Sequence, residues 1–423
     1  MKVLLINTSE RIGGAAIAAN RLMKALIHNG VDAKTLVLNK QTDDKNVIAI
    51  QSSFLKRIIA EFYFLWERWI IFSHNHFCRK NLFKVSISNS GFDVSRHPCV
   101  KEADIIHFHW INQGFLSLRG LKKIIKLGKP IFCTMHDMWY CTGICHHARE
   151  CTHYHTQCSH CFYLKKVRQH DLSSRIFNQK IKLFQSGNIV FITCSKWLKS
   201  QAEKSAILSG QQIVQISNPI NISLFRPMQK AVCRKKFHLP NDKKLILFGS
   251  VKISDERKGI YYLMKAAELF STKMEANDME FVIFGKSNND LTDFFSFKVN
   301  YLNFVSNEHD MVALYNAADV YVTPSLDENL PNTIMEAMAC GTPCVGFRTG
   351  GIPEMIDHQQ NGYVAAYENA EDLANGIFWT LFEANHELLS QNARQKAIDF
   401  YSEEIIANQY IDLYKTSYNN EHK

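Results

Sequence analysis

The sequence predicts an α/β protein built from two Rossmann-like, doubly wound domains in tandem. Three observations carry that expectation: short apolar runs of strand length alternate with longer helix-like segments, the first run leads into a glycine loop, and the alternation restarts after residue 217. Strand, glycine loop, helix and strand in succession form a βαβ unit, which implies a parallel sheet. At 423 residues the chain is long enough for two or three domains. Its 46% hydrophobic and 21% charged content supplies buried cores and excludes a disordered or collagen-like chain.

Val3-Leu4-Leu5-Ile6 reads as the first buried strand, followed by the Gly13-Gly14 loop. A helix over 15–28 ends at Asn29-Gly30, and a strand returns over 31–38. Further strands fit 105–109, 130–134 and 189–194. Ser217-Asn218-Pro219 breaks the series, because Pro219 holds the residue before it out of the helical region. A second series follows, with strands over 245–249, 281–285, 320–323 and 343–347. The expected domains are therefore 1–216 and 217–400, with a helical stretch over 401–423. Their ligand sites, at the carboxyl ends of parallel strands, would face one another across a cleft.

Charge divides along the same line. Residues 1–200 hold 29 basic and 12 acidic residues, net +17, whereas 201–423 hold 20 and 28, net −8. A protein that coats nucleic acid uniformly is thereby disfavoured. Only four apolar residues precede polar Asn7-Thr8-Ser9-Glu10, too few for a signal peptide, and no run reaches the roughly 20 apolar residues of a spanning helix. A cytoplasmic location is expected, with reduced cysteines.

The segment 54–72 has apolar residues at helical spacing, among them Phe54, Leu55, Ile58, Phe62, Leu65, Trp66 and Trp69. Two readings stand. One is a core helix; the other is an amphipathic helix that lies on an anionic bilayer, with Lys56, Arg57 and Arg68 nearby. The +17 of the first half favours the second.

The chemistry is written most densely over 325–343. Glu328 and Glu336 stand eight residues apart, one in the loop after a strand and one inside the helix that opens near Pro331 and ends at Gly341. That spacing lets both carboxylates approach one ligand whose phosphate meets a helix N-terminus. Arg257 and Lys258, just past the 245–249 strand, are the cations placed to neutralise a diphosphate. Gly13-Gly14 brings backbone close to a ligand at the start of a helix. Four cysteines, Cys145, Cys151, Cys158 and Cys161, are spaced Cys-x5-Cys-x6-Cys-x2-Cys in a loop with few apolar residues. Structural zinc is the first reading, with disulfides and free thiols as alternatives.

The run from Glu328 to Glu336 resembles the E-x7-E motif of the family 4 glycosyltransferases, which have the GT-B fold, use nucleotide-sugar donors and retain anomeric configuration. Gly13-Gly14-Ala15-Ala16, His107-Phe108-His109-Trp110, Thr134-Met135-His136-Asp137-Met138-Trp139, Asn218-Pro219-Ile220, Arg257-Lys258-Gly259 and Gly350-Gly351-Ile352-Pro353-Glu354 resemble family landmarks in family order. The resemblance implies that Glu336 accepts from the nucleotide's ribose and that Glu328 lies by the donor sugar, with the backbone of Asn329, Leu330, Pro331 and Asn332 against it. It implies donor contacts from Gly14, Arg257 and Lys258, and a place beside the sugar for His136, oriented by Asp137. Two departures are visible. Asn329-Leu330-Pro331 stands where relatives carry glycine after the first glutamate, and Ser250 stands where many carry an arginine, for which Arg257 is a substitute.

By the same resemblance the first domain takes the acceptor and the second the donor. The stretch 401–423 crosses back to the first, and the cysteine-rich insertion 141–161 marks a subfamily. The implied activity is transfer of a hexose or related sugar to a glycan, most plausibly lipid-linked, in cell-surface polysaccharide synthesis, with the protein peripheral on the inner face of the plasma membrane. No cofactor is required for catalysis and no nucleic-acid partner is expected. Competing readings are a nucleotide-sugar epimerase of related fold and a non-catalytic zinc or nucleic-acid-binding protein. Against the latter, few basic residues flank the cysteines.

Overall fold

A computed structural model describes residues 1–421 apart from 52, 166, 272–277, 287–294, 296 and 306. The chain divides into two units, one comprising Met1–Ser217 with Ile406–Lys423 and the other Asn218–Ile405.

The first unit holds seven parallel strands: β1 (Lys2–Ser9), β2 (Asp32–Asn39), β3 (Val47–Ala49), β4 (Ile105–Phe108), β5 (Ile131–Met135), β6 (Ile189–Thr193) and β7 (Gln212–Gln215). Their order across the sheet is β3-β2-β1-β4-β5-β6-β7. Both faces are covered, so β1 is buried continuously from Val3 to Asn7 rather than alternating. Leu4 and Ile6 join the core on one face, Val3 and Leu5 that on the other. Helix α1 (Gly14–His28) follows β1 directly, with Gly13 as its cap at φ +92. The helix Glu403–Glu421 enters this unit, where Tyr410 and Tyr414 pack with Val3, Leu5 and Phe132.

The second unit holds six parallel strands: β8 (Lys244–Lys252), β9 (Met279–Lys286), β10 (Val299–Leu302), β11 (Val320–Thr323), β12 (Cys344–Phe347) and β13 (Gly362–Ala365), in the order β10-β9-β8-β11-β12-β13. Each unit is a Rossmann-like sheet, and the pair makes the GT-B fold. In each, the strand order reverses at one point, between β1 and β4 and between β8 and β11. Ligands of such sheets bind at the carboxyl ends of the strands there.

Four strands escape the sequence reading: β3, β7, β10 and β13. All four lie at sheet edges, with three or four residues each. Gln212-Ile213-Val214-Gln215 is exposed or half-buried throughout, so it lacks the apolar run by which central strands are recognised.

Candidate active site

In the second unit the site is built on the loops that leave β8 and β11. After β8 the chain makes a single helical turn, Glu256–Lys258, closed by Gly259 in the left-handed region at φ +69. A Cβ at Gly259 would lie 1.8 Å from the carbonyl oxygen of Pro324, so only glycine lets this turn lie against the loop after β11. The backbone N–H of Leu326 donates to the carbonyl of Arg257 at 2.7 Å and joins the two loops. That junction brings the Lys258 ammonium to the Glu328 carboxylate as an ion pair. The Ser325 hydroxyl donates to the same carboxylate at 3.3 Å.

Gly350, at φ +53, comes equally close from the other side. A Cβ there would lie 1.6 Å from the carbonyl oxygen of Glu328, and Gly351 N–H donates to the carbonyl of Asn329 at 2.8 Å. The glycine pair thus fixes the backbone that carries Glu328 and Asn329. Helix Asn332–Ala339 then begins at Pro331, with no side-chain cap and no acid in its first turn, so its N-terminal N–H groups suit an anion. Glu336 is buried on this helix and accepts from the Tyr315 hydroxyl at 2.8 Å. Arg257 is held by Asp255, with its NH2 group 2.7 Å from a carboxylate oxygen. Lys258 and Arg257 therefore differ: the first faces Glu328, the second is engaged within its own turn.

In the first unit, polar groups gather where β4 and β5 end. His109 Nδ1 lies 2.9 Å from His136 Nε2, so one ring donates and the other accepts. His107 Nε2 meets the Thr134 hydroxyl at 2.7 Å, and the Tyr414 hydroxyl, from the terminal helix, meets His107 Nδ1 at 2.7 Å. Burial holds the His136 imidazole down to about 4 and the His107 imidazole to about 3, and pushes His109 well below its ordinary value. All three rings are neutral at pH 7. His109 Nε2 is buried with no hydrogen-bond partner among the described residues.

Asp137, expected to orient His136, is engaged by other residues. Its carboxylate accepts from the Trp110 indole at 3.0 Å, from His146 Nδ1 at 2.7 Å and from the backbone N–H of Trp139 at 2.8 Å. Burial would raise this carboxyl, but His146 and these hydrogen bonds outweigh it and hold it at about 2. As a nearby charge, Asp137 also opposes the effect of burial on the His136 imidazole.

None of the twelve cysteines, all of them described, is in a disulfide. Cys145, Cys151, Cys158 and Cys161 line one pocket, and the Cys158 sulfur accepts from Gly143 N–H at 3.3 Å. Burial pushes the Cys145 thiol up to about 11 and the Cys158 thiol to about 12. Among the described residues no three His, Cys, Asp or Glu side chains stand close enough to hold a metal ion. The donor chemistry of the pocket suits zinc, but its closure does not as the side chains stand.

The structure thus brings Glu328, Lys258, Asn329, Leu330, Pro331, Asn332 and Glu336 into one loop-and-helix unit. It sets His136 in a separate group in the other unit, and leaves Gly14 at the start of α1. A Cβ at Gly13, the α1 cap, would meet nothing within 4 Å. The sequence reading gave no role to Tyr315, Ser325, His146 or Tyr414. Tyr315 lies 21 residues from Glu336 and Tyr414 lies 307 from His107, and no local spacing signals either.

A protein with two such parallel sheets, each covered by helices, is an α/β protein of the GT-B fold. Its similarities to known proteins narrow the class. Residues 242–381 match the family model described as glycosyl transferases group 1. An uncharacterized glycosyltransferase of Methanocaldococcus jannaschii is 26% identical over 96% of this chain and 94% of that one. The N,N'-diacetylbacillosaminyl-diphospho-undecaprenol alpha-1,3-N-acetylgalactosaminyltransferase of Campylobacter jejuni is 35% identical over 27% of this chain and 30% of its own length. Among solved structures, Anabaena HepE in complex with UDP-glucose superposes with a TM-score of 0.63 at 15% identity, covering 98% of this chain and 100% of that one.

Proposed function

We propose that the protein is a retaining glycosyltransferase that moves a hexose or related sugar from a nucleotide sugar to a lipid-linked glycan used in cell-surface polysaccharide synthesis. The observation that carries this is the junction in the second unit, where two glycine turns fix the loop bearing Glu328 against Lys258 while Glu336 is held by Tyr315 one helix away. The Campylobacter relative's name supports a diphospho-undecaprenol acceptor, and the HepE complex supports a uridine diphosphate sugar as donor.

In this reading Glu336 accepts from the ribose hydroxyls. The uncapped N-terminus of helix Asn332–Ala339 and the Lys258 ammonium receive the diphosphate. Lys258 exchanges Glu328 for phosphate, and Glu328 is then released toward the sugar. As the anomeric carbon–oxygen bond breaks, its electron pair leaves with the diphosphate. The Glu328 carboxylate stabilises the oxocarbenium-like charge, and the neutral His136 imidazole of the other unit is assigned a hydrogen bond to a sugar hydroxyl. The acceptor hydroxyl attacks from the same face and gives its proton to the leaving phosphate. No metal takes part in this step.

Transfer from UDP-, GDP-, ADP- and dTDP-hexoses to a polyprenyl diphosphate sugar tests the proposal, with the product's anomeric configuration read by NMR. One donor should be used and its configuration kept. An inverted product, or none with any donor, contradicts the reading. We further propose that the four pocket cysteines take a structural zinc on the strength of their donor chemistry, which requires their sulfurs to draw together.

A further inference from the structure

Helix α2 (Phe54–His74) has its polarity reversed. Glu67 and Arg68 point into the protein, where the Glu67 carboxylate accepts from the backbone N–H groups of Ile87 and Ser88 at 2.7 and 2.8 Å and lies 3.0 Å from Arg68. Arg68 also donates to the carbonyl of Val85 at 3.1 Å. The other face is apolar and open: Phe54 is 79% exposed, Leu65 62% and Trp69 51%, with Leu55, Ile58, Phe62 and Trp66 completing a stripe. Phe62 and Trp66 stack at 6.1 Å, and Trp69 contacts exposed Phe77 beyond the helix end. Neither sequence reading describes this fully. The helix is not a core helix, and Arg68 is turned away from the surface it was expected to flank.

The stripe is held firmly. Ser90 donates to the Tyr63 carbonyl at 2.8 Å, and Gly114 at φ +80 lets its loop approach so closely that a Cβ would lie 2.6 Å from the Phe64 nitrogen. Burying a carboxylate and a guanidinium while exposing Phe, Leu and Trp is unfavourable in water. It is consistent with an apolar medium on the outer side. Charge identifies that medium further. Lys56 and Arg57 are exposed at the start of the helix and Arg79 and Lys80 just beyond its end, against one exposed acid, Glu61. Trp and Phe with cationic flanks suit the boundary between headgroups and acyl chains. At 21 residues the helix is about 31 Å long at 1.5 Å per residue. Among the described residues no helix is long and apolar enough to cross a membrane.

We propose that the apolar stripe of α2 is a docking surface that seats the protein in the plane of an anionic lipid bilayer. The surface is independent of the transferase reading, since no residue of the donor site belongs to it. Co-flotation of the full chain with vesicles tests it, using phosphatidylcholine alone and about three parts phosphatidylcholine to one part phosphatidylglycerol. The protein should float with the anionic vesicles at least about ten-fold more than with the neutral ones, and less as salt rises. Leu65→Glu/Trp69→Glu should reduce flotation at least about ten-fold with an unchanged melting temperature. Lys56→Glu/Arg57→Glu, which leaves every apolar residue in place, should lose the preference for anionic lipid. Absent flotation, equal flotation of the Leu65→Glu/Trp69→Glu variant, or equal flotation on both vesicles overturns the proposal. So does a dimer in lipid-free solution that this variant dissolves, which would assign the stripe to a second copy. Nucleotide-induced thermal shifts, unchanged in both variants, separate failure here from failure of the donor site.

Discussion

Both units gather polar side chains at strand ends, β8 and β11 in the second and β4 and β5 in the first, but of different electrical character. In the second unit the Glu328 carboxylate is paired with Lys258 and also accepts from Ser325, while Glu336 accepts from Tyr315. In the first, His107 and His109 are buried and His136 is half-buried, all as neutral rings; His107 bonds Thr134 and Tyr414, and His109 bonds His136. The contrast matches two chemical tasks. A nucleoside diphosphate brings charge that must be neutralised, whereas a sugar brings hydroxyls that need donors and acceptors without net charge.

Changes in the charged site should sharpen the contrast most. Lys258→Met should lower kcat about 10²–10³-fold while leaving the melting temperature near that of the wild type, because the side chain is partly exposed. Near-normal turnover would remove Lys258 from the leaving-group site. Gly350→Ala acts through the backbone. Its Cβ would lie 1.6 Å from the Glu328 carbonyl, so the loop must shift, at a cost of about 1–3 kcal/mol in a urea titration and a loss of turnover about ten-fold or more. Unchanged stability would show that the loop does not depend on this contact.

In the neutral site, His136→Gln keeps hydrogen bonding and should reduce kcat about ten-fold, with donor Kd unchanged in a direct titration. The same residue makes a pH prediction. With a folded value of about 4 against 6.5 ordinarily, the unfolded chain binds more protons between those limits, so stability falls as pH drops from about 6.5 toward 4. The share of this one ring is a slope of up to about 1.4 kcal/mol per pH unit, and His136→Gln should remove it. Parallel pH–stability curves for variant and wild type would show that His136 is not buried in neutral form. The smallest effect on transfer belongs to the cysteine pocket. Elemental analysis of protein purified without a histidine tag should find about one zinc per chain, and chelation should lower the melting temperature but not kcat at 25 °C. Zinc-free protein that melts normally would retire the site.

Legibility in the sequence follows the same division. The central strands announced themselves as continuous apolar runs, and both glutamates with the loop between them lay within 19 consecutive positions, 325–343, so their chemistry was visible before any fold was drawn. Edge strands were not visible: Val47–Ala49 is too short, and Gln212–Gln215 is short and lacks a buried apolar run. The partners that fix the site were equally hidden. Tyr315 reaches Glu336 from another helix, Tyr414 reaches His107 from the last, and the close approaches of Gly259 to Pro324 and Gly350 to Glu328 join loops 65 and 22 positions apart. Asp137 illustrates the limit most clearly. Sequence adjacency suggested that it serves His136, whereas a turn of the backbone directs it to Trp110 and His146.

The central claim is that the second unit holds a nucleoside diphosphate through Glu336, and its most direct test is a thermal-shift series with UDP, GDP, ADP and dTDP on the wild type and on Glu336→Gln. A ligand that binds only the folded state raises its melting temperature by linkage. The account predicts that one nucleotide raises the wild-type value, that EDTA leaves the shift unchanged, and that Glu336→Gln loses it with about a ten- to hundred-fold weaker Kd. An equal shift in wild type and variant, or no shift with any of the four, would contradict it.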